Sequence, residues 1–359
     1  MAVIAQTGVF SFGPQVAKGT AATNYYQHRA SDIDLGTISD DRLGPPEVGG
    51  INTPTIPYRA GVMAAGGATI NPRLESTLGW LFYGALGAVA TTADKDVLGT
   101  TVTGMYNHEF TFATDAGYLP WMTFRKWIPG KTSGDELGEI FRDCKLTGLT
   151  VALPNEGLIN ARVDALGTAE GDNFDPGATW TYANTTMEDY PSIPIGCTVG
   201  GYLKIPGYSA SALPVTAATI TLQNAPLDPR QERNYGSPYL DDVTIVSRQL
   251  TIDMVVKWQN PELYESIYTG ATNATAWTPS PFVEDLDVYA LSPQNAPLLT
   301  SPYGLRIRAD KVVWSSPQPI RLAGGQAISI RLTGTAIAGG TYYCKFNIGN
   351  KTTQYVWPT

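Results

Sequence analysis

The side chains that most often carry out chemistry are sparse in this chain and poorly spaced for it. Its two histidines, His28 and His108, lie far apart and outside any HExxH or HxH pattern, so they offer no zinc ligand set. Pro129-Gly130-Lys131-Thr132 approaches the end of a phosphate-binding loop. Arg125 stands where that motif needs its first glycine, however, and Ser-Gly-Asp follows instead of a helix. The segment reads as a hairpin tip. Asp32, Asp34, Asp40 and Asp41 supply oxygens for calcium, but at a spacing that fits no EF-hand loop. Cys144, Cys197 and Cys344 are odd in number and form no CxxC, which points to reduced thiols rather than a disulfide frame. There is no Gly-x-Ser-x-Gly elbow and no nucleophile–base pair. Paired carboxylates that converge in space remain open. The 8 tryptophans and 19 tyrosines could line a sugar platform, though such rings more often fill cores and interfaces. The expectation is a protein that is not an enzyme and needs no cofactor or metal.

Composition narrows the class further. Charged residues make up 16% of the 359, well under the ~25% usual for soluble domains. Hydrophobic content of 43%, with 37 glycines and 26 prolines, suits a β-rich chain of about two domains. A net charge of −8 without any basic run argues against wrapping nucleic acid. The N-terminal residues lack the basic and apolar regions of a signal peptide. The most apolar window, Leu78 to Ala90, is short of the ~20 residues that cross a bilayer. We therefore expect a soluble protein made in a cytoplasm, with no membrane partner.

The elements that would position any site come in two sets. Thr55, Ile56, Arg59, Asn71, Pro72 and Leu74 recur 189 residues later as Thr244, Ile245, Arg248, Asn260, Pro261 and Leu263. Asp143, Gly157, Gly167, Thr168 and Ala169 recur 167 later as Asp310, Gly324, Gly334, Thr335 and Ala336, so the second copy is 22 residues shorter between the blocks. Each copy reads as long polar loop, strand, Asn-Pro helix, strands and glycine hairpin. The loops are Asp32–Thr53 and Ala225–Asp242. Leu250, Ile252, Met254, Val256 and Trp258 alternate with polar residues, as a half-buried strand requires. Asn71-Pro72 and Asn260-Pro261 predict helix starts, with Leu74, Leu78, Leu81, Phe82 and Ala85 on one face of the first helix and Leu263 and Ile267 on one face of the second. Phe110 and Phe112 mark a further strand. Ile159, Ala161, Val163 and Ala165, and then Ile328, Ile330 and Leu332, mark the closing hairpins, with turns at Gly157 and Gly324-Gly325. The fold class is mostly β: two tandem β-sandwich or barrel domains with one short α-helix each. The expected division is 1–170, a linker 171–195, 196–335, and a C-terminal extension 336–359.

Phe141-Arg-Asp-Cys-Lys-Leu-Thr-Gly-Leu-Thr-Val-Ala-Leu-Pro154, followed by Glu156 to Gly167, resembles the signature hairpin of tail tube proteins from tailed bacteriophages of the long, non-contractile kind. The helix after Pro72 is similar to the single helix beside that family's sandwich. In the second copy Cys144 has no cysteine counterpart, and Pro317 and Pro319 interrupt the following strand.

The resemblance implies a structural virion protein that assembles into stacked rings, the conduit for double-stranded DNA ejection. In such tubes neighbouring sheets hydrogen-bond so that no strand edge stays open. Six tube domains complete a ring, so two per chain imply trimers with pseudo-sixfold symmetry. The implied partners are further copies of the chain and the tape measure, tail terminator and distal tail proteins, with DNA passing unbound. The long loops and the hairpin Trp127–Gly138, to which we assign the first copy's extra residues, would reach neighbours. Acidic side chains on the inner wall would keep DNA from adhering. Candidate lumen or assembly residues are Asn160, Arg162, Asp164, Ser329, Arg331, Arg59 and Arg248. Competing readings are another virion component, such as a distal tail or capsid decoration protein, and a secreted carbohydrate-binding β-sandwich.

Overall fold

The computed structural model describes residues 8–45, 56–74, 77–113, 119–176, 185–186, 200–271, 276–295, 301–316 and 327–358, with a few single positions between them. The expected turn at Gly324-Gly325, prolines 317 and 319, Cys197 and most of the 171–195 linker lie outside the described residues.

Alternating side chains make strands throughout, and strands account for more than half of the chain. The first half contains β1 (Val9–Pro14), β2 (Tyr25–Gln27), β3 (Ala30–Ile33), β4 (Gly36–Leu43) and β5 (Pro57–Ile70). Helix α1 (Leu78–Leu86) follows, then β6 (Gly87–Lys95), β7 (Thr101–Phe112), β8 (Met122–Ile128), β9 (Leu137–Pro154) and β10 (Asn160–Gly167). Short strands β11 (Asn173–Pro176), β12 (Thr185–Thr186) and β13 (Tyr202–Lys204) lead to the second half. There β14 (Val215–Pro226), β15 (Ile245–Lys257), α2 (Glu262–Thr269), β16 (Phe282–Asn295), β17 (Pro302–Ser315), β18 (Ser329–Ala336) and β19 (Cys344–Asn350) complete the chain.

One continuous ladder organises the molecule. From one edge it runs β3 and β4 side by side on β5, then β10, β9, β14, β15, β18 and β17, every pair antiparallel. The order of pairing β5–β10–β9 is repeated by β15–β18–β17. The halves meet edge to edge where β9 pairs β14, from Pro154↔Ala217 to Gly148↔Gln223. Asn224 locks this seam. Its buried Nδ2 donates to the carbonyls of Ala85 and Leu146, both at 2.9 Å, so a second-half side chain satisfies the last turn of α1.

Several expectations need correction. The stretch predicted as a loop from Asp32 carries the strands β3 and β4 as far as Leu43, because polar residues on both faces hid a strand that pairs on β5. Helix α1 begins at Leu78 rather than at Pro72, with Thr77 as the flanking residue and no side-chain cap. Instead of opening a helix, Asn71 offers its carbonyl to His28 Nε2 (3.4 Å). The second helix starts close to expectation, at Glu262 after Pro261, and carries Glu262 and Glu265 in its first turn, where the helix dipole favours them. Gly87 and Gly270 end the helices at positive φ, 91° and 81°. The first half's extra residues are not at Trp127–Gly138, where β8 turns back onto its partner β9. The added element is the β6–β7 hairpin, Gly87–Phe112, which has no counterpart between α2 and β16.

That hairpin crosses into the other half. β7 pairs β19, which in turn pairs β17, so strands from both halves of the chain share one ladder. Residues 336–359 are thus built into the fold. After β19, Tyr355 and Trp357 return to cover α1, and Trp357 Nε1 donates to Gln15 O (2.8 Å).

The core holds both histidines. His28 Nδ1 lies 2.7 Å from Thr77 Oγ1, and His108 lies between Thr91 Oγ1 (2.9 Å) and Asn350 Oδ1 (3.0 Å). Burial pulls both down to about 4, with Arg73 adding to the effect on His28. The folded state thus keeps neutral rings that the unfolded chain protonates near 6.5. The resulting stability is complete above about pH 6.5 and is lost as pH falls toward 4, by on the order of 3 kcal/mol per ring. Asp172, pushed up to about 6 chiefly by burial, has the opposite sign and offsets part of this below pH 6. Urea midpoints should drop from pH 7 to pH 5, and the double change His28→Gln with His108→Gln should flatten that slope. A wild-type midpoint constant over this range would contradict the assignment.

Candidate assembly face and lumen surface

The side of the ladder facing away from the core is a broad polar surface. Period-two alternation places Ala161, Val163, Ala218, Ile220, Leu222, Ile252, Met254, Ile330 and Leu332 in the core. Their neighbours therefore emerge on the other face. Register aligns those neighbours in rows. Thr69 stands opposite Arg162, then Thr150, Thr221, Thr251, Thr335 and Val313 follow across the seam. A second row runs Ala152, Thr219, Asp253, Thr333 and Ser315. Thr150 Oγ1 reaches Thr221 Oγ1 at 3.4 Å between the halves, and Ser315 and Thr333 hydroxyls meet at 2.8 Å.

Most charges on this face are held in ion pairs; Lys257, at the end of β15, is exposed on the same side. Arg162 donates from Nε to Asp164 (2.8 Å) and from Nη2 to Asp34 (2.7 Å). Asp34 also accepts the Gly67 amide (2.6 Å). Burial works against the Asp34 charge, but Arg162 and the amide outweigh it and hold the carboxyl below its ordinary range. Arg331 Nε donates to Asp253 (3.1 Å), and that bond raises the guanidinium pKa. Exposed pairs of this kind add little stability. Their effect is on the surface potential, since each guanidinium is held by a carboxylate. Between the charged residues the face is rich in hydroxyls.

Of the residues singled out from sequence, Asn160, Arg162, Asp164, Ser329 and Arg331 share this face, with Asn160 and Ser329 exposed at strand starts. Arg59 does not: β5 bulges at Ala60, and Arg59 stands opposite Asp41 on the side of Ser39 and Val62, paired with Asp41 (2.7 Å). Arg248 does not join them. Its parity on β15 matches buried Leu250, and its guanidinium sits 5.1 Å from the Phe112 ring centre on the opposite side. Sequence reasoning missed Asp34, Asp253 and the threonine rows. The alternation Thr219-Ile220-Thr221-Leu222-Gln223 carried the signal for the last of these.

The hairpin tip at Gly130 bears no phosphate-loop geometry, since it closes β8 onto β9 as a turn. Cys144 and Cys344 are free and buried, and burial raises both thiols, Cys344 to about 12, far from a reactive thiolate. Among the described residues no cluster of His, Cys, Asp and Glu could hold a metal ion, and no helix is long and apolar enough to span a membrane.

A scaffold built almost wholly of antiparallel strands, with a strand edge open among the described residues and a broad polar face, has the form of a β structural protein. Comparison with protein families gives the particular one: the chain matches the phage tail tube protein family over residues 5–301 and belongs to it. No curated protein matches the chain.

Proposed function

We propose that the chain forms three-subunit rings of pseudo-sixfold symmetry, stacked into the tube through which double-stranded DNA leaves the virion. The two halves act as tandem tube domains, about 1–170 and 196–335, with the 171–195 linker between them and residues 336–359 closing the second. The observation that carries this reading is the β9–β14 seam, where one half already extends the sheet of the other. A sheet that grows by edge pairing inside the chain closes into a ring when the same step is repeated between chains. The free edge for that step is β3–β4, which pairs only with β5 among the described residues.

The polar face with Thr69, Arg162, Asp164, Thr221, Thr251 and Arg331 lines the lumen. With its arginines held by carboxylates and its rows filled by hydroxyls, the face offers DNA few cations to hold by counterion release. Further copies of the chain are the main partners, and tape measure, tail terminator and distal tail proteins meet the lumen and the tube ends. The protein is made in the host cytoplasm and resides in the tail. Image reconstruction of filaments grown from purified protein tests this directly. Three chains per ring is the expected result; six chains per ring, or a lumen lined by the opposite face, would overturn it.

A further inference from the structure

Trp80, Trp314 and Tyr355 spend their rings in the core. The aromatic residues around α2 do not. Four of them stand in file, with centroids 6.2 Å apart from Trp258 to Tyr264, 4.4 Å from Tyr264 to Tyr268 and 5.8 Å from Tyr268 to Trp277. Trp258 and Tyr264 rest against the core, Tyr268 is half-buried, and Trp277 is 77% exposed. A single exposed ring needs no explanation, but a file of rings that ends in a bare indole does.

The file is held in place. The amide and the hydroxyl of Thr278 both donate to Thr269 O, at 2.9 and 2.6 Å, which ties the residue after Trp277 to the last turn of α2. A Cβ on Gly270 would lie 2.0 Å from Ser280 O, so the segment runs tight against the helix end. Trp277 is exposed yet positioned, which lowers the cost of ordering it around a ligand.

At the other end of the file, beside Trp258, lies a cleft of about 190 Å³ lined in part by Tyr208, Ser209, Gln259, Asn260 and Glu262. Asn260 Nδ2 donates to Glu262 Oε2 (3.1 Å) and orients the carboxylate. Amides, hydroxyls and a carboxylate thus adjoin a row of aromatic faces. That combination matches a sugar. A pyranose ring presents an apolar face of C–H groups, which packs on an aromatic ring, and a rim of hydroxyls, which bond to amides and carboxylates. The two charged residues of the lining, Lys257 at the strand end and Glu262, are opposite in sign, which favours a neutral glycan over an acidic one.

We infer that this surface binds a neutral oligosaccharide running from the cleft along the file, its rings stacked on Tyr268 and Trp277 and its hydroxyls held by Asn260 and Glu262. Helix α2 packs on β16 and β17, and its Leu263 and Ile267 lie in the core, so the site is on the side of the ladder away from the polar face. In the tube reading, on which only this orientation rests, the glycan is bound by the outer wall and the channel stays clear.

Calorimetric titration of the full chain with maltohexaose, cellohexaose and chitohexaose decides the inference. Wild-type protein should bind at least one of the three and change its tryptophan emission in doing so. No heat and no emission change with any of them up to about 10 mM would overturn the site. Trp277→Ala should weaken that binding roughly tenfold at an unchanged melting temperature, because the side chain is at the surface. Asn260→Ala, at an exposed cleft position, should weaken it too, and it decides the matter where Trp277→Ala proves unstable. Tyr235→Ala removes a fully exposed ring between β14 and β15 and should bind as wild type does. An equal loss in that variant would mean adhesion to any exposed ring and would overturn a built site. Filaments should bind as the free chain does; binding that vanishes on assembly would mean that a second copy covers the rings instead. Protein that never makes filaments removes the tube reading, and titration of the free chain still decides the site.

Discussion

Tubes assembled from a Thr150→Arg, Thr221→Arg, Thr251→Arg variant should bind double-stranded DNA, while wild-type tubes let it pass. The three threonines stand in one cross-strand row spanning the seam between the halves, and all three are half-buried, with side chains on the polar face. Three new arginines outnumber the carboxylates left to them, since Asp253 is engaged by Arg331 and Arg162 already shares Asp34 and Asp164. Repeated around a ring and along a stack, they would make a continuous cationic band. Each arginine that meets a phosphate steepens the log–log salt dependence of binding by about 0.9, so retention should be strong at low salt and fade as salt rises. Virions carrying the variant should eject DNA more slowly in the same salt-dependent way. Ejection and co-sedimentation indistinguishable from wild type would mean that this face does not line the channel. Charge-neutral Thr→Asn changes at the same positions separate a field effect from a shape effect.

Tyr355→Ala should be among the most damaging single substitutions outside the ladder. The ring is 3% exposed, with centroids 4.7 Å from His108, 5.3 Å from Trp80 and 5.6 Å from Phe110. It packs so closely on α1 that a Cβ at Gly79 would lie 2.1 Å from its Cζ. Its hydroxyl accepts from Asn350 Nδ2 (3.0 Å), the residue that also holds His108. Truncating a buried aromatic of this size costs about 3–5 kcal/mol. Tyr355→Phe keeps the packing and gives up only the hydrogen bond, about 1 kcal/mol. Equilibrium unfolding in urea distinguishes the two, and equal costs for both variants would show that the hydroxyl, not the ring, holds the tail. Because Tyr355 follows β19 and covers a first-half helix, the loss should loosen both halves together.

Much of the fold was legible because its rules are local. Leu250 to Val256, Ile159 to Ala165 and Ile330–Leu332 declared their strands by alternation. What failed were the segments whose structure depends on a distant partner. β4 carries Ser39, Asp40, Asp41 and Arg42, a run with no apolar face, and is a strand only because β5 supplies its ladder. Asn71-Pro72 has the form of a helix start, yet His28 claims the Asn71 carbonyl from 43 residues away. The β6–β7 hairpin has no repeat partner, so the offset of 22 residues announced an insertion without placing it.

The candidate face divides along the same line. Sequence by itself determined the chemistry: low charge, no ligand clusters, threonine alternating with aliphatic residues, and a doubled pattern of elements. Those properties follow from residue type and from spacings of a few positions, which a linear chain displays directly. Only the tertiary structure decided which polar residues share a surface, because cross-strand register joins Thr150 to Thr221 and Arg331 to Asp253 across 71 and 78 positions. It also decided that Arg248 turns inward while Arg59 does not, although the repeat makes them equivalent. The reason is steric and dielectric: the first half's β6–β7 hairpin lays Phe112 against Arg248, and the second half has no counterpart of that hairpin to lay against Arg59.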